Sequence, residues 1–204
     1  MQGPLPYLPT LVQALGQHYE FVSSPPATHL LPSDTQKGAE FKHGRFVTED
    51  HRQIVIDQLT VYIDGVFVDV STSTDDAELI LADLQNWVGD QSVGIEFLPQ
   101  KYYLSQLELE ITGGLGKFAP AFQDAANQVT KALKTYGIEP PSYSVTGIFL
   151  NFDLTRHIGI QPGLFQLDRR TGVPFDQNTW FSQAPLKTSD HLELLNQLDK
   201  LKKI

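Results

Sequence analysis

The glycine-rich segment at residues 112–117, Thr-Gly-Gly-Leu-Gly-Lys, resembles a phosphate-binding motif more closely than any other part of the chain. It follows a predicted strand, 102–111, and precedes a predicted helix, 119–136. A glycine turn at such a junction directs the unpaired backbone N–H groups of the helix start towards one point, where proteins bind phosphate. Gly114, Gly116 and Lys117 are therefore the candidate cofactor-binding residues.

The segment departs from the ATP-binding loop pattern Gly-x-x-x-x-Gly-Lys-Ser/Thr. Gly116 and Lys117 supply its end, but Ile111 stands where the first glycine belongs and Phe118 where the hydroxyl belongs. Two defining positions are therefore missing.

The segment also fits the dinucleotide-binding pattern only in part. Gly114, Gly116 and Ala119 match the small residues, but the acid that should end the next strand is represented only by Glu139, which precedes Pro140. We therefore expect no bound cofactor, and we interpret the segment as a strand-to-helix connection that uses glycine for backbone freedom.

Other residue types give no assembled site. The six histidines show no metal-binding spacing, the chain has no cysteine, and no Gly-x-Ser-x-Gly motif is present. His157, beside Arg156 at the end of a predicted strand, is the strongest single catalytic candidate. We otherwise expect the histidines to be surface or capping residues, and we predict neither catalytic residues nor a metal site.

The N-terminal segment is organised by proline. Pro4, Pro6 and Pro9 precede a helix predicted over residues 11–20 with Thr10 as its N-cap, and residues 22–38 show no periodicity. Residues 1–38 are therefore predicted to form a proline-rich arm that contains one short helix.

A period of two begins near residue 39 and predicts three antiparallel strands. The first contains Phe41 and Phe46, the second runs from Ile54 to about residue 63, and the third starts at Val66. Asp64-Gly65 between the last two strands predicts a two-residue hairpin turn, because both turn positions need positive φ.

The remaining elements alternate between helices and strands. Ser73 or Thr74 is predicted to cap a helix, the helix 119–136 to end at Gly137, and residues 188–190 to cap a last helix. Strands are predicted over 142–152, 164–170 and 179–182. We therefore predict an α+β fold, with helices packed on a mainly antiparallel sheet, as a single domain over residues 39–204.

The helix 119–136 carries one apolar stripe: Phe122, Ala125, Ala126, Val129, Ala132, Leu133 and Tyr136.

Composition and charge limit the classes of protein to which the chain could belong. With 204 residues, 41% of them hydrophobic, one core is expected. The net charge is −9, and residues 49–110 alone contribute −11, which would repel nucleic acid. The absence of cysteine, of a secretory signal and of an apolar segment long enough to span a membrane predicts a cytoplasmic location without membrane contact.

These eliminations favour interaction with other proteins. We predict a non-enzymatic structural or assembly protein that contacts protein subunits in an oligomer or a larger complex such as a phage particle, with no evident small-molecule substrate. The alternative is a small nucleotide- or phosphate-binding enzyme that uses residues 113–117. The predicted contact residues lie in the last helix and in the arm: Leu192, Leu195, Leu198, Leu201, Pro4, Pro6 and Pro9.

Overall fold

The computed structural model describes residues 9–25, 38–62, 64–90, 97–111, 114–117, 120–139, 143–153, 155 and 161–200. The chain divides into two compact units, unit 1 at Met1–Lys101 and unit 2 at Tyr102–Ile204. Each unit has its own hydrophobic core and its own antiparallel sheet.

Unit 1 contains a three-stranded meander and two helices. Its elements are α1 (Pro9–His18), β1 (Ala39–Val47), β2 (Gln53–Val61), β3 (Val66–Asp69) and α2 (Thr74–Asp90), and the strand order is β1-β2-β3. The predicted meander is confirmed. Apolar residues from both helices and from the sheet form the core: Leu15, Tyr19, Ala39, Phe41, Ile54, Ile56, Leu59, Ile80, Leu84 and Val88.

The pairing of β2 with β3 corrects the position predicted for Gly65 in the connecting turn. Val61 pairs with Val66, and the N–H of Tyr62 donates to the carbonyl of Gly65 at 2.8 Å. Gly65 is therefore part of the pair that flanks the turn, and it does not occupy the turn position predicted for it. The sequence signal located the hairpin correctly, but strand pairing set its register.

The start of α2 is capped as predicted. The N–H of Asp76 donates to Oγ of Ser73 at 3.2 Å, and the Asp76 carboxylate forms an ion pair with Arg52 at 2.7 Å. The hydrogen bond from Arg52 holds the pKa of Asp76 below its usual value. By contrast, α1 begins at Pro9, so Thr10 lies within the helix rather than at its cap; proline is favoured at the first helical position.

Unit 2 contains a four-stranded antiparallel sheet whose order differs from the order along the chain. Its elements are β4 (Ser105–Glu110), α3 (Pro120–Thr135), β5 (Gly147–Leu150), β6 (Phe165–Arg169), β7 (Thr179–Ala184) and α4 (Thr188–Lys200). The strand order is β4-β7-β6-β5, and short 3-10 helices occupy Leu115–Lys117 and Phe175–Gln177. The core residues are Ile111, Leu115, Phe165, Leu167, Trp180 and Ala184.

Two element boundaries in unit 2 correct the sequence predictions. The strand predicted over 142–152 is limited to β5, Gly147–Leu150, at the edge of the sheet. The last helix begins at Thr188, and the N–H of His191 donates to the carbonyl of Lys187 at 2.9 Å, so residues 188–190 form the first turn instead of the cap.

The predicted α+β class, with mainly antiparallel sheets, is confirmed. Most of the proline-rich arm, including Pro4 and Pro6, lies outside the described residues. The residues of the predicted domain 39–204 belong to both units, and their folding as a single domain stays a prediction.

Candidate interaction surface

Helix α3 presents an apolar stripe that its own unit leaves open to solvent. Phe122 is 69% exposed, Val129 is 43% exposed and Tyr136, in the turn after the helix, is 73% exposed. Among the described residues of α3 none is buried, although the sequence pattern is strongly amphipathic. We call Phe122, Ala125, Val129, Ala132 and Tyr136 the α3 stripe.

A different side of α3 contacts the rest of unit 2. The hydroxyl of Thr130 accepts a hydrogen bond from the N–H of Tyr143 at 3.1 Å, and the side chain of Gln123 lies against Gly116. At 100° per residue, Gln123 and Thr130 lie about 100° around the helix from Val129. The stripe is therefore accessible while another side of the helix is fixed.

The C-terminal end of α3 is closed by the predicted glycine. Gly137 has φ of +77°, the N–H of Ile138 donates to the carbonyl of Leu133 at 3.1 Å, and the N–H of Gly137 donates to the carbonyl of Lys134 at 3.1 Å. This pair of bonds is the Schellman motif, which satisfies the last carbonyls of a helix. The motif gives Tyr136, at the end of the stripe, a defined position.

Further exposed apolar side chains occur in unit 2. Ile138 and Tyr143 follow α3, and Phe149 and Leu150 are exposed on the edge strand β5. Large exposed apolar areas on soluble proteins commonly mark contacts with other proteins, and a sheet edge offers unpaired backbone groups to a further strand.

The glycine segment is a joint between β4 and α3, as predicted. Gly114 has φ of +67°, which favours glycine, and its N–H donates to the carbonyl of Ile111 at 3.3 Å. Leu115 is buried in the core, and a Cβ at Gly116 would lie 2.5 Å from Oε1 of Gln123. Lys117 ends the 3-10 helix; its side chain lies outside the part described.

The predicted contact leucines of α4 face in different directions. Leu195 and Leu198 are partly buried against the core of unit 2, whereas Leu192 is 47% exposed. Leu201 lies outside the described residues, as do Pro4 and Pro6, and Pro9 is the first residue of α1. Of these residues, Leu192 is the one whose side chain the structure shows to be accessible, and the role of the whole set stays a prediction.

A buried histidine in unit 2 resembles a catalytic group but is enclosed. Nδ1 of His191 lies 2.7 Å from Oγ of Ser105, and Nε2 lies 2.8 Å from Oγ of Ser182. Ser182 donates to the carbonyl of Gln166 at 3.1 Å, whereas the carbonyl nearest the Ser105 hydroxyl, that of Ala184, is 3.5 Å away. In the neutral ring these distances favour Nε2–H as the donor to Ser182 and the Ser105 hydroxyl as the donor to Nδ1. His191 is 0% exposed, and burial lowers its pKa, so the network joins α4 to the sheet with a neutral ring.

A second histidine lies at the junction of the two helices of unit 1. Nε2 of His18 and the hydroxyl of Tyr19 both contact Oδ2 of Asp83, at 2.9 Å and 2.8 Å, and the His18 ring stacks on Trp87. Burial, together with the hydrogen bond to Asp83, raises the pKa of Tyr19. A tyrosine that holds its proton is a hydrogen-bond donor here, so the cluster fastens α1 to α2.

The two adjacent arginines of unit 2 lie on opposite faces of the sheet, as predicted. The Arg169 guanidinium lies 4.4 Å from the ring centroid of Phe175 and 4.7 Å from that of Trp180, whereas Arg170 approaches Glu108 at 3.9 Å. Nη1 of Arg169 donates to the carbonyl of Phe175 at 2.8 Å. Within the described part of the chain, Arg169 Nε and Trp180 Nε1 are buried donors without a partner.

The described ranges contain neither a metal-binding cluster nor a membrane-spanning helix. No cluster of His, Asp or Glu there could hold a metal ion, and no described helix has the length and apolarity needed to cross a membrane. The catalytic candidate His157 and its neighbour Arg156 lie outside the described residues.

Sequence reasoning missed two features of the site. It grouped His191 with surface or capping histidines, whereas the side chain is fully buried; its position three residues before Leu194, which packs on the core, was the available signal. It identified an apolar face on α3 that included Ala126 and Leu133, which are partly buried and do not belong to the α3 stripe. It gave no sign that the rest of that face would be exposed, since periodicity reports an apolar face and not what covers it.

Comparison of the chain with protein-family models, with curated protein sequences and with solved structures gave no match in any of the three.

Proposed function

We propose that this chain is a structural or assembly protein, without catalytic activity, that acts through contacts with protein subunits in an oligomer or a larger complex. The observation that carries the proposal is the α3 stripe, in which Phe122 and Val129 of the helix and Tyr136 of the turn that follows are exposed. Burying such side chains is worth roughly 1.5–3 kcal/mol each, which favours association. A cytoplasmic location, or one within an assembled particle, fits the cysteine-free composition.

The enclosed polar groups support the same proposal. His191 and its two serines are buried, and the His18 cluster joins two helices. Both are satisfied by partners within their own unit, which is typical of groups that stabilise a fold. Neither resembles a nucleophile with an open approach for a substrate.

Light scattering of the full chain over a range of concentrations tests the proposal. We expect the mass to rise from monomer towards oligomer between about 1 μM and about 1 mM, the range typical of weak to moderate contacts. A strict monomer throughout this range, unchanged by deletion of residues 1–38, would argue against assembly.

A second candidate function, nucleotide or phosphate binding by residues 113–117, is favoured by one contact. A Cβ at Gly114 would lie 3.8 Å from Nη2 of Arg169, so a guanidinium adjoins the glycine segment. Gln123 nevertheless fills the space beside Gly116. We expect ATP, GTP or NAD to leave the melting temperature unchanged; a rise that Gly116→Trp abolishes would support this second function instead.

A further inference from the structure

The α3 stripe has the spacing of a helix-to-helix seam. Its residues follow one another at intervals of three, four, three and four, from Phe122 to Tyr136. This is the pattern by which two helices pack along a shared apolar line, and it extends over two heptads. The occupant of the stripe is therefore expected to be another helix.

The order of side-chain sizes along the stripe is the same in both directions. An aromatic residue stands at each end, an alanine lies inside each aromatic residue, and Val129 is central. If two copies of α3 run antiparallel about a two-fold axis beside Val129, Phe122 faces Tyr136 of the partner subunit, and Ala125 lies within one residue of the level of Ala132 of the partner subunit. Large groups then fill the ends, while small groups let the helices approach at the centre.

We propose that a second copy of this chain covers the α3 stripe, in an antiparallel helix pair with two-fold symmetry. This inference rests on the proposed function and names its partner and surface. A self-complementary stripe is what a two-fold interface requires, because the same patch must serve both subunits.

The charges of α3 are compatible with pairing to a copy of itself. The stripe has no ionisable group near neutral pH, and Asp124, Lys131 and Lys134 lie at least about 140° around the helix from Val129. Two chains with a net charge of −9 repel each other, so contact is most favourable where each presents a neutral surface.

The size of the surface sets the expected strength of the pair. A stable interface needs roughly 800 Å² and about 20 residues from each subunit, which exceeds one helical stripe. Ile138 and Tyr143, which follow α3 in the chain, are also exposed but do not belong to the stripe. A reversible dimer with a dissociation constant on the order of micromolar is therefore expected.

Sedimentation equilibrium of the full chain tests the proposal with a matched pair of variants. The stripe variant carries Phe122→Gln and Tyr136→Gln, which preserve helix propensity at two exposed positions. The control, Leu79→Gln, makes the same kind of change at an exposed leucine of α2. We expect wild type and control to dimerise alike and the stripe variant to dimerise at least about 100-fold more weakly, because buried aromatic residues dominate such contacts. Circular dichroism verifies that both variants are folded.

A stripe variant that is folded and dimerises like wild type overturns the inference and leaves the proposed function standing through another surface. A wild-type chain that remains a monomer up to about 1 mM overturns the inference and, with it, self-assembly as the form of the proposed function.

Discussion

Two serine hydroxyls hold the imidazole of His191 in one neutral form beneath α4. The ring accepts a hydrogen bond from Ser105 and donates one to Ser182, and both serines lie on core-facing positions of paired strands. The sequence could not predict this arrangement because Ser105 and Ser182 are distant in the chain and meet only when β4 pairs with β7. The residues around His191 show that it lies near the start of a helix, but they do not show that its ring donates to Ser182.

Lowering the pH should reduce the stability of unit 2, because the buried His191 is neutral in the folded chain. Burial lowers its pKa from 6.5. As the pH falls below that value, the unfolded chain binds a proton that the folded chain does not. The contribution of the neutral His191 to the free energy of unfolding is therefore full above about pH 6.5 and decreases below it. Urea unfolding at about pH 7.5 and about pH 5.5 should show this loss in wild type.

The matched variants for this prediction are His191→Asn and His51→Asn, of which the second lies at an exposed loop position with positive φ that asparagine tolerates. We expect His191→Asn to be less stable at neutral pH but less sensitive to acid, and His51→Asn to retain the wild-type slope. Equal slopes in wild type and His191→Asn would show that another group is responsible.

Arg169 should tolerate lysine poorly. Its planar guanidinium stacks on Phe175 and Trp180 and donates to the carbonyl of Phe175, and an ammonium group cannot reproduce that geometry. We expect Arg169→Lys to lower the free energy of unfolding by about 1–2 kcal/mol. Arg170→Lys, at an exposed pair with Glu108, should change it by less than about 0.5 kcal/mol. Denaturant unfolding followed by tryptophan fluorescence compares the two; equal losses would contradict the assigned role of the stack.

The ends of helices could be predicted from neighbouring residues, whereas strands that depend on pairing with a distant part of the chain could not. The cap at Ser73 and the end of α3 at Gly137 follow from residue chemistry within one turn of the helix. The pairing of β4 with β7 joins strands about 75 residues apart, so no local pattern reports it. The reduction of the strand 142–152 to β5 has the same origin. Among its described residues the paired register with β6 covers Gly147–Leu150, and one further bond joins the N–H of Arg169 to the carbonyl of Thr146 at 2.9 Å.

The cap of α2 gives a prediction at the scale of an element. Ser73→Ala removes the acceptor for the N–H of Asp76 and should cost about 1 kcal/mol, whereas Ser73→Asp should restore most of the stability because aspartate caps equally well. Fluorescence of Trp87, which lies in α2, follows the unfolding of unit 1. If alanine and aspartate variants have the same midpoint, the hydroxyl is not acting as a cap.

At the scale of the whole molecule, two cores predict two units that respond separately to mutation. The core of unit 1 is formed by residues of the first half of the chain and that of unit 2 by residues of the second. We expect Ser73→Ala to accelerate amide exchange in unit 1 alone and Arg169→Lys to accelerate it in unit 2 alone, as mass spectrometry of peptides can resolve. Acceleration throughout the chain by either variant would support the single domain predicted from sequence.

Composition and periodicity were sufficient for the fold class but not for the candidate surface. The apolar stripe of α3 is visible in the sequence, yet its exposure depends on which side of the helix contacts the rest of unit 2, and that is a tertiary property. The same limit applies to the α4 leucines, of which Leu192 is exposed and Leu195 partly buried.

Disulfide cross-linking of a Val129→Cys variant tests the pairing of two chains most directly, because the natural chain has no cysteine. Antiparallel helices about 8–10 Å apart bring central facing Cα atoms to roughly 3–5 Å, which overlaps the range of about 4.4–6.8 Å that a disulfide needs. Under mild oxidation we expect Val129→Cys to form a covalent dimer rapidly. Asn127→Cys, on the opposite side of α3, should remain largely monomeric. Equal rates of cross-linking at the two positions would contradict the α3 pair.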